Sequence, residues 1–259
     1  MPAATSSLTV APMVAGLAFL ATAVATLFAQ ATLVRFTKER KPHELAWTLA
    51  LAMFALASAA LATGASTGWD RATFRAFYLL GAVLNVPWLA LGTLYLLVRP
   101  SIARKVQWCL VLFSGLATGV LLSAPMSRVS RNTIPVGRDV FGMFPRVLAG
   151  VGSGAGAIVI LIGAVWSALR FARARGAGRL AAGNALIALG TLVLSSGGLV
   201  QGGVGHDEAF TVSLATGITV VYAGFLVTSG SLSRRARRST LPAKPRGNSS
   251  TTSMVDGRL

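Results

Sequence analysis

The sequence predicts an all-α, polytopic membrane protein, a bundle of seven transmembrane helices, and three observations lead to this prediction. The chain of 259 residues is 54% hydrophobic and only 12% charged, whereas soluble domains carry about 25% charged residues. The hydrophobic residues occur in long blocks, and the charged residues lie mainly in the gaps between the blocks. Each block approaches the ~20 apolar residues that a helix needs to cross a ~30 Å hydrocarbon core.

The blocks are interpreted as helices because a bilayer offers no partner to a free backbone group. The first block lacks the basic segment of a signal peptide and is expected to be a retained span. The spans form one domain, residues 1–232, and the basic, Ser/Thr-rich residues 233–259 are predicted to be a disordered cytoplasmic tail. The predicted spans are residues 10–34, 45–63, 74–98, 106–124, 147–169, 180–201 and 210–232.

Lysine and arginine are distributed unequally between the two sides of this bundle. One set of gaps, together with the tail, holds 18 of the 24 basic residues. Because cytoplasmic loops are the richer in Lys and Arg, the N-terminus is predicted outside and the C-terminus inside a bacterial plasma membrane. The net charge of +17 is then explained by topology and by anionic headgroups at the cytoplasmic face, without nucleic acid as a partner.

Tryptophan and the longest connection give two further expectations. Headgroup-level belts are expected to hold Trp47, Trp108 and Trp166 at inner span ends and Trp69 at an outer end, because this amphipathic ring favours the interface. Residues 125–146 form the longest outer connection and contain four arginines. A solvated, partly amphipathic loop is the favoured interpretation of that connection. A cap over the bundle, or a site for an anionic group, is the alternative.

The third span carries the clearest pattern in the chain, on one face of the helix. Lipid requires only apolar surface, so this polar and glycine-rich stripe is predicted to face the bundle interior, with Leu84 and Leu89 on the outside. Pro87 cannot donate to the carbonyl group of Val83, so a kink with freed carbonyl oxygens is expected there. The stripe consists of Tyr78, Gly81, Asn85, Trp88, Gly92 and Tyr95.

Small residues on other spans offer partners for that stripe. The sixth span carries Asn184 above a series of small residues, and the fifth and seventh carry glycine series that include Gly152, Gly156 and Gly217. Tight helix packing of the small-xxx-small type is the favoured interpretation. The alternative is a pocket around Trp88, in which the ligand-binding candidates are Tyr78, Asn85, Trp88, Tyr95 and Asn184.

Several chemistries are not expected. No Asp, Glu, Lys, Arg or His lies in the middle of a predicted span, and such residues mark proton and ion pathways. Cys109 is the single cysteine, and His43 and His206 fall on opposite sides of the predicted membrane. No catalytic residue, metal site or cofactor is therefore predicted, and the protein is not expected to be an enzyme.

Two stretches carry a resemblance to a known group of proteins: KPHELAW, residues 41–47, and FRAFYLLGAVLNVPWLALGTLYLL, residues 74–97. They resemble a family of uncharacterised seven-helix integral membrane proteins of high-GC bacteria. The resemblance covers the chain up to about Gly230 and implies a fold without an activity. A looser likeness, in topology and length, is to the seven-helix sensor modules of bacterial histidine kinases.

Two function classes follow from these observations. The first is a non-enzymatic sensor or binding module for a small apolar or amphipathic ligand, a lipid or a membrane partner. The alternative is a facilitative transporter of a neutral solute. It depends on a possible internal repeat, in which residues 35–51 align without gaps with residues 170–186.

Overall fold

The computed structural model describes residues 3–172, 182–183, 185–194 and 207–239. Within these ranges the regular structure is helical, apart from one isolated bridge between Met126 and Phe141. Six of the described helices are long and apolar enough to cross a membrane. The prediction of an all-helical, multi-pass membrane protein is therefore confirmed.

The helices are named here in chain order. The third contains a π-helical segment, Tyr78–Leu84, between two α-helical parts, and the fifth is a single turn. Their bounds are α1 Ala3–Glu39, α2 Pro42–Thr67, α3 Arg71–Leu97, α4 Pro100–Ser123, α5 Gly137–Val140, α6 Met143–Ala172, α7 Ala185–Leu194 and α8 Asp207–Ser239.

The predicted sixth span, residues 180–201, lies partly outside the described residues. Its described centre is α7, an apolar helix shorter than a full span. The count of seven spans and the orientation of the termini therefore stay predictions. Two neutral names are used below: the basic end carries residues 35–41 and 99–105, and the loop end carries residues 124–142.

Helices α2 and α3 lie at the centre of the bundle. Helix α2 packs against α1 and α3, and α3 packs against α4 and α6 as well. Glycines allow the two central helices to approach closely. A Cβ atom added to Gly92 would lie 2.2 Å from the ring of Trp47, and one added to Gly81 would lie 3.2 Å from the Cβ atom of Ala57. The stripe of α3 therefore faces the interior, as its composition indicates.

The π-helical segment changes which residues of α3 face the core. The backbone N–H of Asn85 donates to Leu80 O, five residues earlier, rather than to the fourth. The wider turn rotates the following residues relative to a regular α-helix. Leu84 is buried in the core beside Val83, so the prediction that Leu84 faces outward is wrong. Leu89 is half-buried.

The loop end is closed by the connection between α4 and α6. Ile134, Val140 and Phe141 are buried in the main core cluster, and Ser127 N–H donates to Val140 O at 3.0 Å. The connection therefore packs over the end of the bundle as a cap would, through a few apolar side chains, while most of its residues are exposed, as in a partly amphipathic loop. The cap forms because its apolar side chains cover the tops of the helices, and its polar residues remain outside.

Trp69 belongs to this cap and not to an aromatic belt. It is only 3% exposed, its ring lies against Gly64, and its backbone N–H donates to Arg131 O at 3.2 Å. The belt prediction for Trp69 is therefore wrong, because the connection folds back over it. Trp108 and Trp166 are each 63% exposed, as expected for rings that face the membrane interface.

Several glycines of α6, α7 and α8 are packing positions, whereas an added Cβ atom on Gly150 or Gly154 of α6 would have no heavy atom within 4 Å. A Cβ atom on Gly152 would lie 3.1 Å from Val83 O, and one on Gly156 would lie 3.0 Å from the carbonyl group of Val86. A Cβ atom on Gly217 of α8 would lie 3.0 Å from Gly190 O of α7. These contacts between backbones support the packing interpretation of the small-residue faces.

Candidate functional site

The five ligand-binding candidates do not converge on one point. Trp88 and Tyr95 lie in the half of α3 nearer the basic end and line one cavity. Tyr78 lies at the loop end, Asn85 lies between the two groups, and Asn184 is outside the described residues. The cavity that contains Trp88 and Tyr95 is the candidate functional site.

The cavity lies between α1, α2, α3 and α4 at the basic end. Its volume is about 350 Å³, at the lower limit of the ~300–1,000 Å³ typical of ligand pockets. Its wall combines aromatic and aliphatic side chains with two arginines and one amide. The lining residues are Phe36, Arg40, Pro42, Leu45, Ala46, Trp88, Leu91, Tyr95, Arg104, Gln107 and Trp108.

Hydrogen bonds to α4 hold the two aromatic residues of α3 in place. The indole Nε1–H of Trp88 donates to Ser114 Oγ at 3.1 Å, and the Ser114 hydroxyl donates to Leu110 O at 2.7 Å. The Tyr95 hydroxyl donates to Gln107 Oε1, which leaves the amide nitrogen of Gln107 as a donor. The aromatic wall is therefore fixed before any ligand enters.

Arg40 occupies an unusual backbone conformation at this cavity. It follows the last residue of α1, its N–H donates to Phe36 O at 2.8 Å, and its φ angle is 53°. Helices commonly end this way, but glycine or asparagine normally occupies the position. For arginine the left-handed conformation is strained, and such strain tends to accumulate at functional sites. The Arg40 guanidinium lies 5.8 Å from the centre of the Phe36 ring.

Asn85 is buried but does not line the cavity. It is 8% exposed, and its Oδ1 atom has no hydrogen-bond partner in the described part of the chain. No hydrogen bond from Asn85 to a neighbouring helix is therefore identified. Its place in the stripe puts it between Gly81 and Gly92, which contact α2.

Tyr78 is part of the cap. Its ring lies 5.0 Å from that of Phe141 and 5.8 Å from that of Phe74, measured between centroids. A Cβ atom on Gly137 would lie 2.4 Å from the Tyr78 ring. These contacts hold the loop end closed, so Tyr78 acts through packing at a distance from the cavity.

The chain matches no protein-family model, and no curated protein matches it significantly. Among the described residues, no three His, Cys, Asp or Glu side chains are grouped so that they could hold a metal ion. A function for this protein therefore has to be inferred from the chemistry of the cavity.

Two groups of residues were not expected from the sequence. Arg40 and Arg104 count in the sequence only among the basic residues at span ends, and no role was predicted for Gln107. Nothing local in the sequence distinguishes the two arginines from other basic residues there. One local feature could have indicated Arg40: an arginine, rather than the usual glycine, follows the end of α1 in the short connection to Pro42.

The second unexpected group surrounds Glu44, the third residue of α2. Its side chain is completely buried, and its Oε1 atom lies 2.8 Å from Arg35 Nε and 3.6 Å from His43 Nε2. The Arg35 guanidinium also lies 5.1 Å from the centre of the Phe225 ring. This buried ion pair joins α1, α2 and α8 beside the cavity.

Proposed function

We propose that this protein is a non-enzymatic, membrane-embedded sensor or binding module, and that it binds one small amphipathic molecule in the cavity at the basic end. The observation that carries this proposal is the composition of the cavity wall. Trp88, Leu91 and Ala46 provide apolar surface, whereas Arg40, Arg104 and Gln107 provide polar donors. A ligand with one apolar and one polar end would satisfy both parts.

The position of the cavity supports a ligand that arrives from the membrane. Its lining includes Trp108 and Leu45, which are 63% and 38% exposed, and exposed apolar residues of a membrane bundle face lipid. Its volume is suited to a single-chain or ring-sized molecule. A plasma-membrane location, with Arg40 and Arg104 near the headgroups of the cytoplasmic leaflet, is part of this proposal.

Binding without chemical conversion is favoured by the types of side chain that line the cavity. Of the side chains that commonly act as general bases or nucleophiles, the lining contains only Tyr95, whose hydroxyl donates to Gln107 Oε1. A module of this kind would act by changing its contacts with a partner membrane protein when the ligand binds.

Facilitated transport of a neutral solute is the alternative, and the closed loop end argues against it. Between the cavity and that end, Val83, Leu84 and Phe74 are buried in the core, and the cap covers them. Solute flux into proteoliposomes separates the alternatives. Binding without flux agrees with the proposal, and saturable flux would contradict it.

The proposal is tested by blocking the cavity. Leu45→Trp adds a large ring to the cavity wall, so the variant should retain less of a single-chain probe, 1-monomyristoylglycerol, than the unchanged protein does in native mass spectrometry. The matched control is Leu49→Trp, because Leu49 lies one turn further along α2, is similarly exposed, and is absent from the lining. Equal retention by both variants would contradict the proposed site.

A further inference from the structure

We infer that the ligand of this cavity is a phosphate-bearing, single-chain amphiphile, whose anionic head is bound by Arg40 and Arg104 and whose chain lies against Trp88 and Leu91. The inference rests on the proposed binding function and specifies the class of ligand. It is carried by the charge of the cavity, the backbone of Arg40 and the arrangement of the donors.

The first argument is that the cavity has positive charge without a matching carboxylate. At the basic end, Glu44 pairs with Arg35 at 2.8 Å and Glu39 pairs with Lys41 at 2.6 Å. In the described residues, no carboxylate lies within ion-pair distance of Arg40 or Arg104. Arginine stays charged at physiological pH, so two cations face this cavity, and an anion would balance them.

The second argument is that Arg40 is held in its place at a cost. Its left-handed backbone, with φ of 53°, would suit glycine better, because an L side chain is strained there. The hydrogen bond to Phe36 O and the contact with the Phe36 ring keep the arginine beside the cavity. A residue retained against its backbone preference is expected to have a role that glycine lacks.

The third argument concerns the kind of anion. A guanidinium presents its donors in a planar fork that matches the oxygen atoms of phosphate, and two such forks bind one phosphate group better than one. The amide nitrogen of Gln107 adds a neutral donor, because its oxygen already accepts from Tyr95. Trp88 and Leu91 then form the apolar part of the wall, which selects a chain in addition to the head.

The experiment measures saturation binding of tritiated probes to the full chain in phosphatidylcholine nanodiscs. The probes share one acyl chain and differ in the head: 1-myristoyl lysophosphatidic acid has a phosphate monoester, and 1-monomyristoylglycerol is neutral. The phosphate probe should bind about tenfold or more tightly, since a hydrogen bond to a charged group contributes about 1.5–3 kcal/mol. Inorganic phosphate at equal concentration should displace neither probe, because it lacks the chain.

The variants are Arg40→Gly and Arg104→Gln, with Arg99→Gln as the control, because Arg99 is exposed at the same end but does not line the cavity. Each cavity variant should reduce the preference for the phosphate probe about tenfold, and Arg99→Gln should change the affinity for either probe by less than about twofold. Arg40→Gly relieves the backbone strain, so its melting temperature should not fall, which separates binding from folding.

The outcomes distinguish this inference from the proposed function. If neither probe binds saturably, the proposed function fails. If both probes bind equally to the unchanged protein, the proposed binding function stands, but the inference of an anionic head is wrong. The same conclusion follows if Arg99→Gln reduces the preference for the phosphate probe as much as the cavity variants do. Displacement of the phosphate probe by inorganic phosphate at equal concentration would identify a free anion as the ligand. That result would overturn the inference that the ligand is an amphiphile.

Discussion

At the scale of single residues, Glu44 and Asn85 show how this interior handles polar groups. Glu44 is fully buried and has an arginine beside it as a counter-charge, although neither of its carboxylate oxygens meets the geometry of a hydrogen bond in the described part of the chain. The Oδ1 atom of Asn85 is also buried without a hydrogen-bond partner there, but it carries no charge. A buried charge is tolerated only with a counter-charge, and a buried amide without a partner costs stability. The two residues therefore lead to opposite predictions.

Removing Arg35 should cost more stability than removing its partner. Arg35→Gln leaves the Glu44 carboxylate buried without a counter-charge, and breaking a buried pair costs about 3–5 kcal/mol. Glu44→Gln should cost less, because the Arg35 side chain is already 29% exposed and can turn to water. The free energy of unfolding in detergent measures both. Equal losses of unfolding free energy in the two variants would show that the difference in burial between Arg35 and Glu44 does not decide the cost of breaking the pair.

Replacing Asn85 should not destabilise the bundle. Asn85→Leu removes a buried oxygen without a described partner and keeps a similar volume, so the melting temperature should stay the same or rise. Binding in the cavity should also persist, because Asn85 does not line it. A loss of about 1 kcal/mol or more would indicate that the amide does bridge helices.

At the scale of elements, α3 departs from a regular helix, and α6 compensates for the departure. Pro87 has no N–H, so neither Val83 O, four residues earlier, nor Ala82 O, five residues earlier, can accept from it. The Ser153 hydroxyl of α6 donates to Ala82 O at 2.6 Å. The glycines of α6 let its backbone approach this point. The Ser153 hydroxyl and the glycine face of α6 therefore both lie against the part of α3 around Pro87.

The Ser153 bond should be coupled to Pro87. Ser153→Ala alone leaves Ala82 O without that donor and should cost about 1 kcal/mol. In a Pro87→Ala background, residue 87 regains an N–H, so the same Ser153→Ala change should cost less. A double-mutant cycle on unfolding free energy should give a coupling of about 0.5 kcal/mol or more. If the two substitutions changed the free energy of unfolding independently, the Ser153 hydroxyl would not compensate for the missing N–H of Pro87.

Two glycines of α6 should respond differently to the same change. Gly156→Ala places a Cβ atom 3.0 Å from the Val86 carbonyl group, and backbone cannot move aside cheaply, so about 1–3 kcal/mol should be lost. Gly154 has no heavy atom within 4 Å of such a Cβ. Gly154→Ala should therefore be neutral or stabilising by up to ~1 kcal/mol. Similar melting temperatures for the two variants would show that α6 does not pack closely on the part of α3 around Pro87.

At the scale of the whole molecule, the two ends of the bundle differ. The loop end is covered by the cap and by the aromatic cluster of Phe74, Tyr78 and Phe141. The basic end keeps a cavity between four helices, and it is lined by Arg40 from the connection between α1 and α2 and by Arg104 from the beginning of α4. Because lysine and arginine favour the cytoplasmic side, we expect the cavity to open toward the cytoplasmic leaflet.

This orientation is tested by labelling single cysteines in intact cells. In a Cys109→Ser background, Ser130→Cys at the loop end should react with a membrane-impermeant maleimide, and Ser101→Cys at the basic end should react only after the cells are permeabilised. Both serines are exposed, so access within the fold is not limiting. The reverse pattern would invert the topology and place the cavity at the outer leaflet.

The sequence by itself determined the class of the protein, because partition into a bilayer depends on local composition over about 20 residues. It also determined that the stripe of Asn85, Trp88 and Gly92 faces inward, since the helical period alone separates such a stripe from lipid-facing leucines. The loss of a backbone donor at Pro87 was likewise predictable, because proline lacks an N–H in any context.

Only the tertiary structure decided how these parts combine. Leu84 turned inward because a π-helical segment changed the register, and Trp69 was buried because a distant connection folded over it. Arg40 and Arg104 meet Trp88 in one cavity because α1, α2, α3 and α4 pack together at the basic end. The physical reason is that a cavity depends on long-range packing between segments, and no local period in the sequence records which span ends become neighbours.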